Sequence, residues 1–356
     1  MTVSLFSSYK LGPTTLANRV VMSPLTRSRS PGNAPGEIVV KYYTQRATAG
    51  LIITEGTSPS PNGLGYARIP GLYNDEQVAA WRKVTDSVHK AGGKIFAQLM
   101  HTGRVSHPLN MPAGSKILGP SALALEGTMW TDTQQLQPYP TPTPMSEADI
   151  AAAIAEYVTS AECALKAGFD GVELHGANGY LIDQFLNPNS NVRTDSWGGS
   201  PEKRLKFALD VCRQTAAKIG KERVGIRLSP FGAFNGMGTF PEMETMFESL
   251  ATQIGALGLV YIHIVDHSPM GAPPLPTTMK PRIRKAFKGT LILSGGYDRN
   301  RAEADITEGK GDLVAFGRPF IANPTLVDKM TKNLPLAAPD QSTFYTPGEK
   351  GYTDYP

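Results

Sequence analysis

The sequence alternates short apolar runs with longer amphipathic segments, and this alternation restricts the possible folds more than any other feature of the chain. Each run consists mostly of Val, Ile and Leu and is bounded by Gly, Pro or polar residues. Continuous apolar runs of this kind are typical of parallel strands that are buried on both faces. The eight predicted strands span residues 19–23, 51–55, 94–100, 171–175, 224–229, 260–265, 290–295 and 312–317.

Amphipathic segments lie between these strands, and they predict helices. The clearest of them cover residues 75–91, 146–167, 202–219 and 243–257. Repetition of strand and helix predicts an α/β fold, a (β/α)8 TIM barrel that forms a single domain over residues 1–356. A doubly wound sheet remains the alternative, because alternation alone does not show that the sheet closes.

One connection is much longer than the others. Residues 101–145 follow the third predicted strand and contain many prolines. Loops of this length in a compact domain usually have a function. A loop that follows a barrel strand starts at the C-terminal face, where barrel enzymes carry out their chemistry. We therefore expect residues 101–145 to form a lid over that face.

Composition and charge exclude several classes of protein. The 35 basic and 31 acidic residues give a net charge of +4 without any block of like sign, which argues against a nucleic-acid partner. The apolar runs are too short to span a bilayer, and the N-terminus lacks a secretory signal, so we expect a cytoplasmic protein without a membrane partner. Cys163 and Cys212 fall in predicted helices, so a disulfide framework is not expected. Monomer and homodimer both remain open.

Several predicted strands end in polar side chains, which a barrel would bring into one pocket. Gln98 can both donate and accept at a pyrimidine edge, Thr26 can donate to a ring carbonyl, and Arg227 can stabilise negative charge. This set favours a flat heteroaromatic ligand. Gln98 taken alone fits a structural buried amide equally well.

Glycine-bearing turns follow the last two predicted strands. Gly295 and Gly296 end the seventh strand, and Gly317 with Arg318 follows the eighth. These two turns are the usual phosphate site of barrel enzymes, because exposed backbone N–H groups and an arginine bind phosphate oxygens. FMN has both a pyrimidine-like edge and a phosphate, so we expect it to be the ligand.

The segment after the fourth predicted strand carries His175, Asn178 and Tyr180. His175 and Asn178 can direct two hydrogen-bond donors at one oxygen atom, which polarises a carbonyl or nitro group. Tyr180 can supply a proton from the other side. A single histidine at a strand end is more often structural, but the three residues together favour a catalytic site.

Several motifs, in order along nearly the whole chain, resemble the old yellow enzyme family. They are residues 24–27 (PLTR), 98–104 (QLMHTGR), 175–185 (HGANGYLIDQF), 193–199 (RTDSWGG), 315–320 (AFGRPF), 343–345 (TFY) and 351–355 (GYTDY). The resemblance implies an FMN-bearing barrel that reduces activated alkenes at the expense of NADH or NADPH.

The resemblance also implies roles for individual residues. His175 and Asn178 would bind the substrate oxygen, Tyr180 would donate the proton, and Met100 and Tyr345 would also line the substrate pocket. Met100 stands where many family members have tryptophan. The residues expected to contact FMN are Pro24, Thr26, Gly56, Gln98, Arg227, Gly295, Gly296, Gly317 and Arg318.

The implied reaction is a ping-pong cycle in which the flavin hydride adds to the β carbon and Tyr180 protonates the α carbon. The alternative within the same site is reduction of nitro compounds, nitrate esters or quinones. A metal-dependent lyase would use His101, His175, His263 and Asp266, but their spacing matches no metal motif, so no metal is expected. A flavin carrier without catalysis would not need His175, Asn178 and Tyr180 together.

Overall fold

The computed structural model describes residues 3–356, so the first two residues of the predicted domain lie outside the described part. The strands in chain order are β1 (Tyr9–Leu11), β2 (Thr14–Leu16), β3 (Val20–Met22), β4 (Leu51–Ile53), β5 (Ile95–Leu99), β6 (Leu118–Gly119), β7 (Thr128–Thr131), β8 (Gln135–Pro138), β9 (Thr143–Pro144), β10 (Gly171–Gly176), β11 (Val224–Leu228), β12 (Tyr261–Val265), β13 (Thr290–Ser294) and β14 (Leu313–Phe316). The α-helices are α1 (Glu37–Thr44), α2 (Asp75–Lys90), α3 (Glu147–Lys166), α4 (Leu181–Leu186), α5 (Pro201–Ile219), α6 (Met243–Leu257), α7 (Met279–Ala286), α8 (Arg299–Thr307), α9 (Arg318–Ala322) and α10 (Leu326–Thr331).

Eight parallel strands close into a barrel in the order β3, β4, β5, β10, β11, β12, β13 and β14, and β14 pairs with β3. This confirms the predicted TIM barrel, and the doubly wound alternative is wrong because the sheet has no open edges. Every residue of β5, β10, β11, β12 and β13 is buried, in agreement with the continuous apolar runs. The C-terminal ends of all eight strands therefore face one opening of the barrel.

The helices of the outer layer begin and end at residues that stabilise helix termini. Ser146 and Asp149 form a complete capping box at the start of α3. The side chain of Ser200 accepts a hydrogen bond from the backbone of Lys203 at the start of α5, and α6 ends at Gly258 in the left-handed conformation with φ 75°. These terminal residues explain why the predicted helices agree with the observed ones within about two residues.

A short antiparallel hairpin of β1 and β2 covers the N-terminal opening of the barrel. Leu11 and Leu16 are buried and pack in one cluster with interior residues of the barrel such as Phe96 and Tyr261. The sequence analysis did not predict this hairpin. Its strands contain only three residues each, which is too short for a periodic pattern to be recognised.

The long connection between β5 and α3 contains regular structure of its own. β7 and β8 form a hairpin, and β6 pairs with β9. Met129 on β7 is buried against Met100 and Tyr180, so the connection packs on the C-terminal side of the barrel. Its function as a lid stays a prediction. No helix within residues 3–356 is both long and apolar enough to cross a bilayer.

Candidate active site

A hydrogen-bonded polar layer crosses the barrel interior near its C-terminal opening. Gln98 Nε2 on β5 donates to Glu173 Oε1 on β10 at 2.8 Å. Glu173 Oε2 lies 2.8 Å from His263 Nδ1 on β12, and His263 Nε2 lies 3.2 Å from Ser294 Oγ on β13. The Gln98 amide is thereby held in one orientation, in which its oxygen remains the free acceptor. The sequence indicates no role for Glu173, and it places His263 among the possible metal ligands only.

Arg227 lies on β11 between His175 and His263 in the register of the barrel. Burial lowers the pKa of Arg227 below its ordinary value, and the carboxylate of Glu173 opposes this shift only in part. Its buried Nε has no hydrogen-bond partner among the described residues. A buried guanidinium with an unpaired N–H favours a ligand that accepts a hydrogen bond or carries negative charge. The arginine and the oriented Gln98 amide both fit the flavin ring predicted from sequence.

Two glycine-bearing turns follow the neighbouring strands β13 and β14 at the opening. Gly295 and Gly296 have φ values of 118° and 62°, and a Cβ at Gly295 would lie 2.3 Å from the carbonyl oxygen of Asp266. Only glycine fits there without strain. Because β14 pairs with β3, the loop that carries Pro24 and Thr26 lies beside the start of α9.

The start of α9 contributes Gly317 and Arg318, and the Arg318 side chain is exposed. Gly317 adjoins the loop after β3, where Ser23 donates its backbone N–H to Phe316. Backbone N–H groups and a free arginine suit a phosphate. Closure of the barrel therefore brings Pro24, Thr26 and the two glycine turns to one region, as the FMN hypothesis requires.

His175 lies near the C-terminal end of β10, and Asn178 and Tyr180 follow in the turn between β10 and α4, at the same opening. The rings of His175 and Tyr180 are 4.9 Å apart and perpendicular within about 15°. Burial lowers the pKa of His175 well below its ordinary value, and the positive charge of Arg227 acts in the same direction. The imidazole is thus neutral at neutral pH. His175 Nδ1 and Asn178 Oδ1 have no hydrogen-bond partner among residues 3–356.

The backbone of Asn178 is held in place from two sides. Asn178 has a positive φ of 62°, which asparagine tolerates better than most residues. Its N–H donates to Ser229 Oγ at 2.9 Å, and its carbonyl accepts from Asn235 Nδ2 at 2.7 Å. Ser229 Oγ in turn donates to the buried carboxylate of Asp183 at 3.2 Å. Burial raises the pKa of Asp183 to about 7. The sequence indicates no role for these supporting residues, although Asp183 lies within the motif at residues 175–185.

An apolar cluster forms the wall opposite the polar layer. It is contributed by four separate segments of the chain, including the hairpin of the long connection. Its buried members are Leu64, Ile69, Met100, Val105, Met129 and Tyr180. Tyr66 is partly buried against this cluster, and its Oη lies 3.1 Å from Tyr180 Oη. Sequence reasoning placed Met100 and Tyr180 here and missed Tyr66.

Gly56 is in contact with Met100. A Cβ at Gly56 would lie 2.4 Å from Met100 Sδ and 2.6 Å from Met100 Cε. The absence of a side chain at Gly56 therefore makes room for the thioether. The glycine at position 56 and the departure from the family pattern at Met100 are therefore physically linked.

Tyr345 lies in the C-terminal tail and is 61% exposed. Its carbonyl oxygen accepts a hydrogen bond from Arg68 Nη2 at 2.9 Å, and the same guanidinium contacts Asp132 in the turn of the β7–β8 hairpin. Burial raises the pKa of Tyr180, the hydrogen bond with Tyr66 opposes this, and the nearby phenol of Tyr345 adds a smaller upward effect. The tail therefore passes beside the Tyr180 side of the opening.

The four residues considered as metal ligands do not form a cluster. Within residues 3–356 no group of three or more His, Cys, Asp or Glu side chains is placed to hold a metal ion. His101 Nδ1 accepts from the backbone of Gly103 at 3.0 Å, and Asp266 pairs with Lys280 at 3.2 Å.

Comparisons with known proteins identify a flavin oxidoreductase family and a solved structure with the same fold. A model of the NADH:flavin oxidoreductase / NADH oxidase family matches residues 4–337. Chanoclavine-I aldehyde reductase fgaOx3 of Penicillium roqueforti (strain FM164) is 42% identical over 99% of this chain and 95% of its own length. A probable flavin mononucleotide-dependent alkene reductase of Leishmania infantum is 39% identical over 97% of this chain and 95% of its own length. The solved structure of morphinone reductase superposes with a TM-score of 0.96, at 44% identity, over 100% of this chain and 96% of that one.

Proposed function

Because this chain belongs to the NADH:flavin oxidoreductase / NADH oxidase family, we propose that it reduces the C=C bond of activated alkenes such as α,β-unsaturated carbonyl compounds, maleimides and nitroalkenes. Membership confirms the predicted class, an FMN-dependent oxidoreductase. The relative from Leishmania infantum is named as a probable alkene reductase, which supports C=C reduction as the reaction. The substrate class and the residue roles below are the proposal.

One observation carries the proposal. His175, Asn178 and Tyr180 lie together at the barrel opening. Neither His175 Nδ1 nor the side-chain amide of Asn178 is hydrogen-bonded within the described residues, so the Asn178 Nδ2 is free to donate. A protein that only stored flavin would not need two unpaired polar groups and a phenol at one wall. An alkene with an adjacent carbonyl or nitro group requires these functions: polarisation of the oxygen and a proton for the α carbon.

The polar layer and the two glycine turns would hold the cofactor. Gln98 and Arg227 would bind the ring, with Thr26, Pro24 and Gly56 beside it. The phosphate would bind at Gly295, Gly296, Gly317 and Arg318. When bound, FMN supplies the hydride chemistry, with NADH or NADPH as the donor and the β carbon of the alkene as the acceptor.

The protein's own residues would bind the substrate and supply the proton. The neutral His175 imidazole donates one hydrogen bond and the Asn178 amide donates another, so both can bind the developing negative charge on the substrate oxygen. Tyr180 breaks its O–H bond and gives the proton to the α carbon. The apolar cluster with Met100 and Met129, and Tyr345 at its edge, would hold the remainder of the substrate.

The test is an anaerobic stopped-flow comparison of the wild type with Tyr180→Phe and with His175→Ala/Asn178→Ala. We expect reduction of the flavin by NADPH or NADH to be unchanged in both variants. Reoxidation by 2-cyclohexenone should slow about 10²–10⁴-fold in Tyr180→Phe and about 10²–10³-fold in the double variant. Unchanged enone reduction in all variants would overturn the proposal. Faster turnover of nitrate esters or quinones than of any enone would favour the alternative substrates.

A further inference from the structure

We propose that Tyr66 is a positioning residue that keeps Tyr180 ready to donate its proton and afterwards returns a proton to it from solvent. This inference rests on the proposed role of Tyr180 as proton donor. It assigns a function to a residue from a different part of the barrel, in the loop after β4, whereas Tyr180 precedes α4.

The two phenols are directly hydrogen-bonded. Tyr66 Oη lies 3.1 Å from Tyr180 Oη, and the two rings are perpendicular with centroids 6.2 Å apart. Tyr180 Oη has no other hydrogen-bond partner among the described residues. The pair is therefore isolated from other protein donors and acceptors on the Tyr180 side.

The direction of the hydrogen bond between Tyr66 and Tyr180 matters because each phenol has only one proton to donate. If Tyr66 donates, the proton of Tyr180 stays free to face the substrate; if Tyr180 donates, its proton is occupied. Burial raises the pKa of Tyr180 to about 12, and the hydrogen bond with Tyr66 opposes this shift. Burial also raises the pKa of Tyr66 well above its ordinary value, and there the same hydrogen bond adds to the shift. The 3.1 Å separation allows either hydroxyl to donate, and we infer that Tyr66 donates because Tyr180 must keep its own proton for the substrate.

The bond changes balance when solvent is counted as the final source of the proton. As the C–H bond forms at the α carbon, the O–H bond of Tyr180 breaks, and its electron pair stays on the Tyr180 oxygen. The existing hydrogen bond from Tyr66 then becomes charge-assisted and stronger. The Tyr66 proton next moves to Tyr180, and water reprotonates Tyr66. Tyr66 is partly exposed whereas Tyr180 is 8% exposed, so Tyr66 is the phenol with the better contact with solvent.

The test uses FMN-loaded enzyme under anaerobic conditions, with Tyr66→Phe, Tyr180→Phe and the double variant. A hydrogen bond to a charged group predicts that Tyr66→Phe slows reoxidation by 2-cyclohexenone about 10- to 100-fold. Because Tyr66 acts through Tyr180, the double variant should be no slower than Tyr180→Phe alone. Tyr9→Phe is the matched control, since it removes a hydrogen-bonded phenol from the β1–β2 hairpin at the other end of the barrel, and its rate should equal that of the wild type.

Two further readouts separate this role from a structural one. Reoxidation by a nitroalkene should be nearly unaffected in Tyr66→Phe, because the nitro-stabilised carbanion does not need the acid. Flavin reduction by NADPH should be unchanged. Equal slowing with enone and nitroalkene, or additive losses in the double variant, would overturn the proposal.

The single variants also distinguish a failure of the role of Tyr66 from a failure of the proton-donor role of Tyr180. If Tyr180→Phe slows enone reduction and Tyr66→Phe does not, the role of Tyr66 is wrong and the proposed function stands. If Tyr66→Phe slows it and Tyr180→Phe does not, Tyr66 is itself the proton donor. If neither does, the proton-donor assignment fails, and the role of Tyr66 fails with it.

Discussion

The contact between Gly56 and Met100 shows how one missing side chain shapes the pocket. Met100 is 1% exposed and packs beside Tyr180, and its terminal atoms occupy the volume that a Cβ at Gly56 would need. Met side chains adapt to irregular space because they are unbranched and flexible. The thioether can therefore move if the space is taken away.

Gly56→Ala should push the end of Met100 toward the substrate. We expect a destabilisation of about 1 kcal/mol, at the low end for overpacking because a flexible terminus moves. The KM values for substituted enones should change, and flavin reduction should change less. Gly36→Ala is the matched control, since no atom lies within 4 Å of its added Cβ. Identical substrate profiles for the two variants would show that Met100 does not respond to position 56.

At the scale of elements, Arg68 connects three segments around the opening. Its Nε donates to the carbonyl of Ser28 in the loop after β3 at 2.9 Å, and its other nitrogens reach Tyr345 in the tail and Asp132 in the hairpin. The Arg68 side chain is 17% exposed and that of Asp132 is 43% exposed, so the ion pair lies at the surface, whereas the hydrogen bond to Ser28 is partly buried. The hairpin and the tail are thus held together beside the substrate wall.

Arg68→Ala should loosen both segments while leaving the barrel intact. We expect faster amide hydrogen exchange in residues 128–138 and 343–346 and a higher KM for enones, with unchanged exchange in β10 to β13. Lys83→Ala, which removes an exposed ion pair with Glu37 at 3.1 Å, serves as the control and should alter none of these. Exchange in the hairpin that stays at the wild-type level would contradict a lid held by Arg68.

For the whole molecule, Glu55 links folding to pH. Burial raises the pKa of Glu55 to about 7, above its unfolded value of 4.5, although the backbone N–H and the charge of Arg27 oppose this. The unfolded chain therefore loses this proton first as pH rises, and the carboxyl destabilises the fold progressively between pH 4.5 and about 7.

Glu55→Gln removes this titration, so the melting temperature of the variant relative to the wild type should rise between pH 4.5 and 7 and then become constant. Differential scanning fluorimetry across this range measures the difference. If the difference in melting temperature between the two proteins is the same at every pH, Glu55 does not titrate between pH 4.5 and about 7. Using the difference between proteins cancels the contribution of other groups, including Asp183.

Local sequence patterns were sufficient to predict the barrel strands and the main helices. Eight apolar runs that alternate with capped amphipathic helices leave few arrangements other than a barrel or an open sheet, and the capping box at Ser146 marks a helix start without any long-range information. The motif around His175, Asn178 and Tyr180 could likewise be found, because those residues are close together in the chain and follow a strand.

Other features depend on contacts between residues that are far apart in the chain. Tyr66 is 114 residues from Tyr180, and His263 is 90 residues from Glu173, so neither partner can be inferred from spacing. The closure of the barrel, the link between Gly56 and Met100, and the tail beside the opening arise in the same way. A side chain's hydrogen-bond partner and burial are set by whichever strands become neighbours, and these set its pKa and its orientation. The chain thus encodes its elements locally, whereas the support and tuning of its candidate site exist only after β3 and β14 have closed the sheet.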